Sequence, residues 1–182
     1  MSAASDWAGS PSPSGILLLG LGNLLLSDEG LGVHCLRRLE TGYRFEPPIA
    51  LIDGGTAGVE LLQLFRDHQR IVVIDALDGG QPPGTVSVIR DEAIRRALEV
   101  KLTLHHLGLA EVLALLDLLD ERPAELVLIG VAPQRLELDL ELSPGVAAAI
   151  PAVITTVEAV LTGWGVQVRT RPPDSAGYAE CY

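Results

Sequence analysis

The sequence contains few cations, and almost all of them are arginine. The chain of 182 residues carries 13 Lys+Arg against 24 Asp+Glu, which gives a formal net charge of −11 at pH 7. Lys101 is the single lysine. Nucleic acids and anionic membranes are bound through clustered cations, so we expect neither as a partner. The acidity instead favours a basic partner or a metal ion.

Cysteine and long apolar runs are also scarce. Cys35 and Cys181 are too few for a disulfide scaffold or a four-thiolate zinc site, which predicts a reduced, cytoplasmic setting. Cys35 falls at an apolar position of a predicted helix and is expected to be a small core residue. The apolar run 15–21 is too short to span a bilayer, and the stretch 145–157 contains Pro151, so we predict no membrane span.

Several common catalytic motifs are missing. The chain has no Cys-x-x-Cys, His-Glu-x-x-His or Gly-x-Ser-x-Gly. Its glycine-rich turn begins Gly20-Leu-Gly-Asn, but Leu25 stands where a dinucleotide fingerprint needs glycine, and no P-loop lysine follows. Glu29 would also repel a phosphate. This turn is therefore predicted to permit close backbone approach and not to bind a nucleotide.

Short apolar runs alternate with amphipathic segments along the chain. This order predicts a three-layer, doubly wound α/β fold, with a mostly parallel sheet and helices on both faces of one domain. The predicted strands are 15–20, 49–53, 71–75, 85–90 at an edge, and 125–131. The predicted helices are 28–40, one capped by Thr56, 91–99, 107–121 and one opened by Ser143-Pro144. We expect a flexible extension over 1–14, the domain over 15–168 and a flexible tail over 169–182.

Carboxylates follow three successive predicted strands. Glu29 and its neighbour Asp28 come after the first strand, Asp53 ends the second and Asp75 ends the third. In an open α/β sheet, ligands bind outside the carboxyl ends of the strands, so these acids are predicted to share one rim.

Histidine is the other candidate ligand. His105 and His106 stand at a helix start where one ring can reach that rim, whereas His34 and His68 are expected to be solvated or structural. Two carboxylates and one imidazole would suit a divalent metal.

The candidate residues stand in six blocks of distinctive sequence. They are Gly20-Leu-Gly-Asn-Leu-Leu-Leu-Ser-Asp-Glu-Gly-Leu-Gly-Val33, Asp53-Gly-Gly-Thr-Ala-Gly-Val-Glu60, Val-Ile-Asp75-Ala with Pro83-Gly-Thr85, His105-His-Leu-Gly-Leu-Ala-Glu-Val112, Leu128-Ile-Gly-Val-Ala-Pro133 and Leu142-Ser-Pro144. In type and order these blocks resemble the hydrogenase maturation proteases, which process the large subunit of nickel–iron hydrogenases. The resemblance covers about residues 15–166.

The resemblance implies an endopeptidase that removes a C-terminal extension from a hydrogenase large-subunit precursor once nickel is in place. The family's metal-binding trio falls on Glu29, Asp75 and His105. Glu29 and Asp75 are also the candidate catalytic acids, and Asp53 matches a further acidic position that bears on specificity or catalysis. The nickel would be supplied by the substrate, with no permanently bound metal, and the protein is expected to act as a monomer.

Two other functions stay open from the sequence. One is a nickel-binding, chaperone-like assembly protein without proteolytic activity. The other is a protease of a different metalloprotein precursor. The motifs identify neither the nucleophile nor the residue at the cleavage site.

Overall fold

The computed structural model describes residues 14–99 and 104–172, with only the backbone described at positions 99 and 104–107. The expected N-terminal extension, apart from Ser14, and positions 173–182 of the expected tail lie outside these ranges. The described elements are β1 (Ile16–Leu21), a 3-10 helix (Ser27–Gly30), α1 (Leu31–Gly42), β2 (Tyr43–Glu46), β3 (Ala50–Gly55), α2 (Leu61–Arg66), β4 (Arg70–Ala76), β5 (Val86–Arg90), α3 (Glu92–Glu99), α4 (Leu104–Leu119), β6 (Glu125–Val131), α5 (Pro144–Gly163) and β7 (Gln167–Thr170).

The main sheet has five strands in the order β3-β1-β4-β6-β5. All neighbouring pairs are parallel except β5 with β6, so β5 is an antiparallel edge strand. Leu18 points to the face covered by α1 and α5, whereas Leu19 points to the face covered by α2, α3 and α4. The predicted doubly wound architecture, with helices on both faces, is confirmed.

The chain changes direction across the sheet between β1 and β4. From β1 it moves outward to β3 on one side, and it then returns to form β4 on the other side of β1. Such a switch point leaves a crevice at the carboxyl ends of the two central strands, where α/β proteins bind ligands. Glu29 follows β1 and Asp75 lies in β4.

A second, two-stranded sheet was not predicted. β2 pairs antiparallel with β7, in a register that places Arg44 opposite Arg169. Each strand has only four residues, and their partners are more than 120 positions apart, so neither carries a local signal of pairing. β7 also crosses position 168, where we expected the globular domain to end.

Three predicted helix starts differ from the structure. α1 begins at Leu31 and not at 28, because Ser27–Gly30 forms a separate 3-10 turn. α2 begins at Leu61 with Glu60 at its N-cap, so the prediction of a cap at Thr56 is wrong. α4 begins at Leu104, three residues earlier than predicted, which brings both neighbouring histidines into its first turn.

α5 begins as predicted, with Ser143 at the N-cap and Pro144 in the first helical position. Within the described ranges it is the only helix long and apolar enough to cross a membrane by length and composition. One face of α5 carries Val146, Val153 and Val157, which are fully buried in the cluster that covers one face of the sheet. This packing is typical of the core helix of a globular domain.

Candidate active site

Two glycines bring the turn that carries Glu29 against the ends of β1 and β4. A Cβ on Gly22 would lie 1.7 Å from the carbonyl oxygen of Glu29, and Gly22 has φ +122°. A Cβ on Gly32 would lie 2.2 Å from the carbonyl oxygen of Ile74 and 2.3 Å from that of Leu21. Any larger residue would push the turn or α1 away from the sheet. The prediction that this glycine-rich turn permits close backbone approach is confirmed.

Asp75 is the buried carboxylate of the crevice. It lies in β4 with 5% of its surface exposed, and its Oδ1 accepts a hydrogen bond of 2.8 Å from the Ala76 N–H. Burial, with a smaller contribution from the negative charge of Glu29, raises the pKa of Asp75 to about 7, against the opposing effect of the Ala76 hydrogen bond. Asp75 is therefore partly protonated near neutral pH.

Glu29 completes an acid pair with Asp75. It is buried, with 9% of its surface exposed, at the third position of the 3-10 helix. Its carboxylate is close enough to Asp75 to change the pKa of that residue. The structure thus brings together two of the three predicted metal-binding residues, at the switch point of the sheet.

The third predicted ligand, His105, is described only through its backbone. It occupies the second position of α4, whose residues Leu109 and Val112 pack on the same face of the sheet as Val73. Because side chains alternate along a strand, Asp75 belongs to that face too. The imidazole of His105 lies outside the described part of the structure. Among the side chains that are described, no group of three His, Cys, Asp or Glu could hold a metal ion.

Asp53 does not join this pair. It is in register with Gly20, whose position faces α1, and its Oδ2 lies 3.6 Å from a guanidinium nitrogen of Arg37 on that helix. Its Oδ1 accepts a hydrogen bond from the Gly55 N–H. β1 separates Asp53 from β4, which places its Cα about 10 Å from that of Ile74, on the face opposite to Asp75. The carboxylate is 43% exposed.

Asp28 has a structural role that sequence reasoning missed. We expected it among the acids of the metal site, but it is fully buried and turned toward the chain after β6. Its Oδ2 accepts hydrogen bonds from the N–H groups of Gln134 (2.8 Å) and Arg135 (3.0 Å) and from the Ser143 Oγ–H (2.9 Å), while Oδ1 accepts one from the Ser143 N–H (2.6 Å). The Asp–Ser pair spans 115 positions, so no local pattern reveals it.

Among the remaining candidates, His68 and Cys35 are structural, and the side chain of His106 lies outside the described part of the structure. His68 is buried, and its Nδ1 hydrogen-bonds the carbonyl of Leu64 at 2.8 Å. His34 lies within α1, where burial and the charge of Arg37 lower its pKa. Cys35 is a fully buried core residue, as predicted, and burial raises the pKa of its thiol to about 12, which makes the thiol unreactive.

A family model for hydrogenase maturation proteases matches residues 33–160. Among curated proteins, the hydrogenase expression/formation protein HupD of Rhizobium leguminosarum is 39% identical over 174 residues, which covers 92% of this chain and 84% of that protein. The hydrogenase 2 maturation protease of Escherichia coli is 39% identical over 157 residues, covering 86% of this chain and 96% of that protein.

Solved structures of hydrogenase maturation proteases are also similar to this chain. The hydrogenase maturating endopeptidase HybD of E. coli superposes with a TM-score of 0.82 at 39% identity, covering 86% of this chain and 97% of that one. The maturation protease HybD of Thermococcus kodakarensis superposes with a TM-score of 0.66 at 32% identity, over 80% and 97% of the two chains. An α/β sheet with two buried acids at its switch point, together with this similarity over most of its length, shows that the chain belongs to the hydrogenase maturation protease family and is an endopeptidase.

Proposed function

We propose that this endopeptidase removes a C-terminal extension from a nickel–iron hydrogenase large-subunit precursor after nickel insertion. In this proposal Glu29, Asp75 and His105 bind the nickel that is already seated in the substrate. The observation that carries it is the pairing of two buried carboxylates at the switch point. The relatives named for hydrogenase maturation support the substrate class.

The acid pair is suited to recognise a cation that arrives with the substrate. Burial and mutual repulsion keep Asp75 partly protonated near pH 7, so the empty pair is electrostatically unfavourable when both acids are ionised. A divalent nickel ion would favour both ionised carboxylates and displace the proton from Asp75. Carboxylate oxygens and an imidazole nitrogen are suitable ligands for this borderline metal. A precursor without nickel would gain none of this binding energy.

Binding through the nickel would also orient the peptide bond to be cleaved. Holding the reacting groups in the correct geometry accelerates a reaction by several orders of magnitude, about 10⁵-fold or more in favourable cases. We propose water as the nucleophile, activated by the nickel or by a carboxylate. Asp53 lies on the face opposite to Asp75, and it is a candidate for a contact with the substrate segment, because its side chain is exposed near the carboxyl end of β3.

The test compares nickel-loaded and nickel-free precursor, with the precursor mass as the readout. The wild-type protein should shorten only the loaded precursor, and Glu29→Gln, Asp75→Asn and His105→Gln should each abolish or strongly slow that cleavage. Asp120→Asn is a matched control, because Asp120 is an exposed acid after the other end of α4. Equal cleavage of both precursors would refute nickel recognition.

The same experiment separates proteolysis from a chaperone-like role. A nickel-binding assembly protein would bind nickel tightly in isolation and shorten no precursor. Normal processing by the three variants, with Asp120→Asn also normal, would show that the trio is assigned to the wrong residues.

A further inference from the structure

The segment between β6 and α5 exposes leucines on a charged background. Residues 135–141 read Arg-Leu-Glu-Leu-Asp-Leu-Glu. Leu136, Leu138 and Leu140 are 49%, 85% and 65% exposed, and Leu25 nearby is 58% exposed. Leucines concentrated on one short surface segment are typical of a protein interaction site, whereas scattered exposed apolar residues are ordinary.

Backbone hydrogen bonds hold this segment in place. The Ser27 N–H donates to the carbonyl of Asp139 (2.8 Å), and the Asp139 N–H donates to the carbonyl of Leu25 (3.1 Å). These two bonds form a parallel bridge between Leu26 and Asp139, and Leu25 and Leu138 are the residues directly before the two bridged positions. The Ser27 Oγ–H donates a further bond of 2.8 Å to the carbonyl of Glu141. Leucine side chains contribute nothing to these bonds.

The leucine surface, defined as Leu25, Leu136, Leu138 and Leu140, is linked to the candidate active site through the backbone and the side chain of Asp28. Leu25 begins the stretch that leads within four residues to Glu29. The carboxylate of Asp28, directly before Glu29, anchors both ends of the leucine segment through Gln134, Arg135 and Ser143. A molecule seated on this surface would therefore lie next to the acid pair.

The charges of the segment define the chemistry of its partner. Glu137 and Glu141 are exposed, and Asp139 adds a third acid. Arg135 is the single cation, and it pairs with Glu137 at 3.2 Å and with Asp139 at 2.8 Å. The segment keeps a net negative charge, so it is complementary to an apolar surface that is flanked by basic side chains.

We propose that the leucine surface is the docking site for the body of the precursor protein, which would present an apolar patch with a basic rim. This inference rests on the proposed function for the identity of the partner. It adds a second point of contact, beyond the nickel, through which the enzyme selects its substrate. Docking here would raise affinity for the folded precursor without taking part in bond cleavage.

The test is the double variant Leu138→Asn/Leu140→Asn, assayed with nickel-loaded precursor. We expect KM to rise about tenfold or more, because buried apolar anchors dominate interface energies, while kcat stays within about twofold. Leu118→Asn is the matched control, since Leu118 is 81% exposed near the C-terminal end of α4, and it should leave both constants unchanged. Glu137→Lys should raise KM at low salt and lose this effect at high salt. Circular dichroism checks that all variants are folded.

Binding is measured separately, so that this inference and the proposed function can fail independently. If the wild-type protein binds the precursor but does not cleave it, the proposed function fails, while weaker binding by the double variant still supports the docking site. If the wild-type protein cleaves and the double variant has an unchanged KM, the docking site is refuted. The docking site is also refuted if sedimentation shows that the wild-type protein is a dimer and the double variant a monomer, while KM is the same for both. The surface would then join two copies of this chain.

Discussion

Replacing Asp28 with asparagine tests whether this residue organises the active-site rim. The aspartate offers two carboxylate oxygens to four donors, whereas asparagine offers one carbonyl oxygen and an amide NH2. If the carbonyl takes the place of Oδ2, the buried N–H of Ser143 faces the NH2 and loses its acceptor. The substitution changes the volume very little, so its effect isolates hydrogen bonding and charge.

The expected loss of unfolding free energy follows from these contacts. An unsatisfied buried donor costs about 1–3 kcal/mol, and each of the three remaining bonds weakens by about 0.5–1 kcal/mol when its acceptor is no longer charged. We therefore expect Asp28→Asn to destabilise the protein by about 2.5–6 kcal/mol at pH 7.

The loss should also depend on pH. Burial raises the pKa of Asp28, but the hydrogen bonds from Ser143, Arg135 and Gln134 together outweigh burial and lower it. A carboxylate with a lowered folded pKa contributes its full stability above its unfolded pKa of about 3.9, and this contribution is lost as the pH falls through the folded pKa. The difference between wild type and Asp28→Asn should therefore shrink below about pH 4.

Urea denaturation at pH 7 and pH 3, followed by circular dichroism, measures both effects, with Asp120→Asn as the control. A loss below about 1 kcal/mol at pH 7 would show that the four bonds contribute little net stability. A loss that is equal at both pH values would show that the charge of Asp28 is not responsible.

Two further substitutions test the construction of the acid pair. Asp75→Asn should raise the free energy of unfolding at pH 8, because the raised pKa of Asp75 means that its charged form is unfavourable in the folded protein. This gain in stability should vanish below about pH 4. A variant that is less stable than wild type at pH 8 in urea denaturation would contradict this prediction. Gly22→Ala should reduce the yield of folded protein or lower its melting temperature by several degrees, since the added Cβ would overlap the carbonyl oxygen of Glu29. Gly163→Ala is the control and should have neither effect, because no atom lies within 4 Å of the position of its added Cβ. Equal melting temperatures for the two glycine variants would show that the turn can shift at low cost.

The central sheet could be predicted from the sequence, because its strands are local apolar runs with clear ends. Ile71–Ile74 alternates between two buried faces, and the aspartate after it is a polar residue at a predictable place on the rim. The order of strands and helices then predicted parallel pairing, which brings Glu29 and Asp75 to the same end of the sheet.

Other features depend on contacts between distant parts of the chain. The β2–β7 pair joins two four-residue strands that carry little apolar pattern of their own. Asp28 and Asp53 look equivalent to Glu29 and Asp75 in the sequence, since all four follow or end apolar strands. The structure separates them, because the side chain of Asp28 is hydrogen-bonded to the chain after β6, while Asp53 lies on the sheet face covered by α1, with β1 between it and β4. Side-chain direction at a strand end cannot be read from spacing alone.

The backbone attachment of segment 135–141 has an evolutionary consequence. Its position is fixed by carbonyl and amide groups and by the Ser27 and Asp28 side chains, and its leucines take no part in those bonds. The leucines can therefore be exchanged for other side chains without moving Glu29. Recognition of a new protein substrate could diverge at these positions while the acid pair stays unchanged, and the same separation offers a route to redirect the enzyme by design.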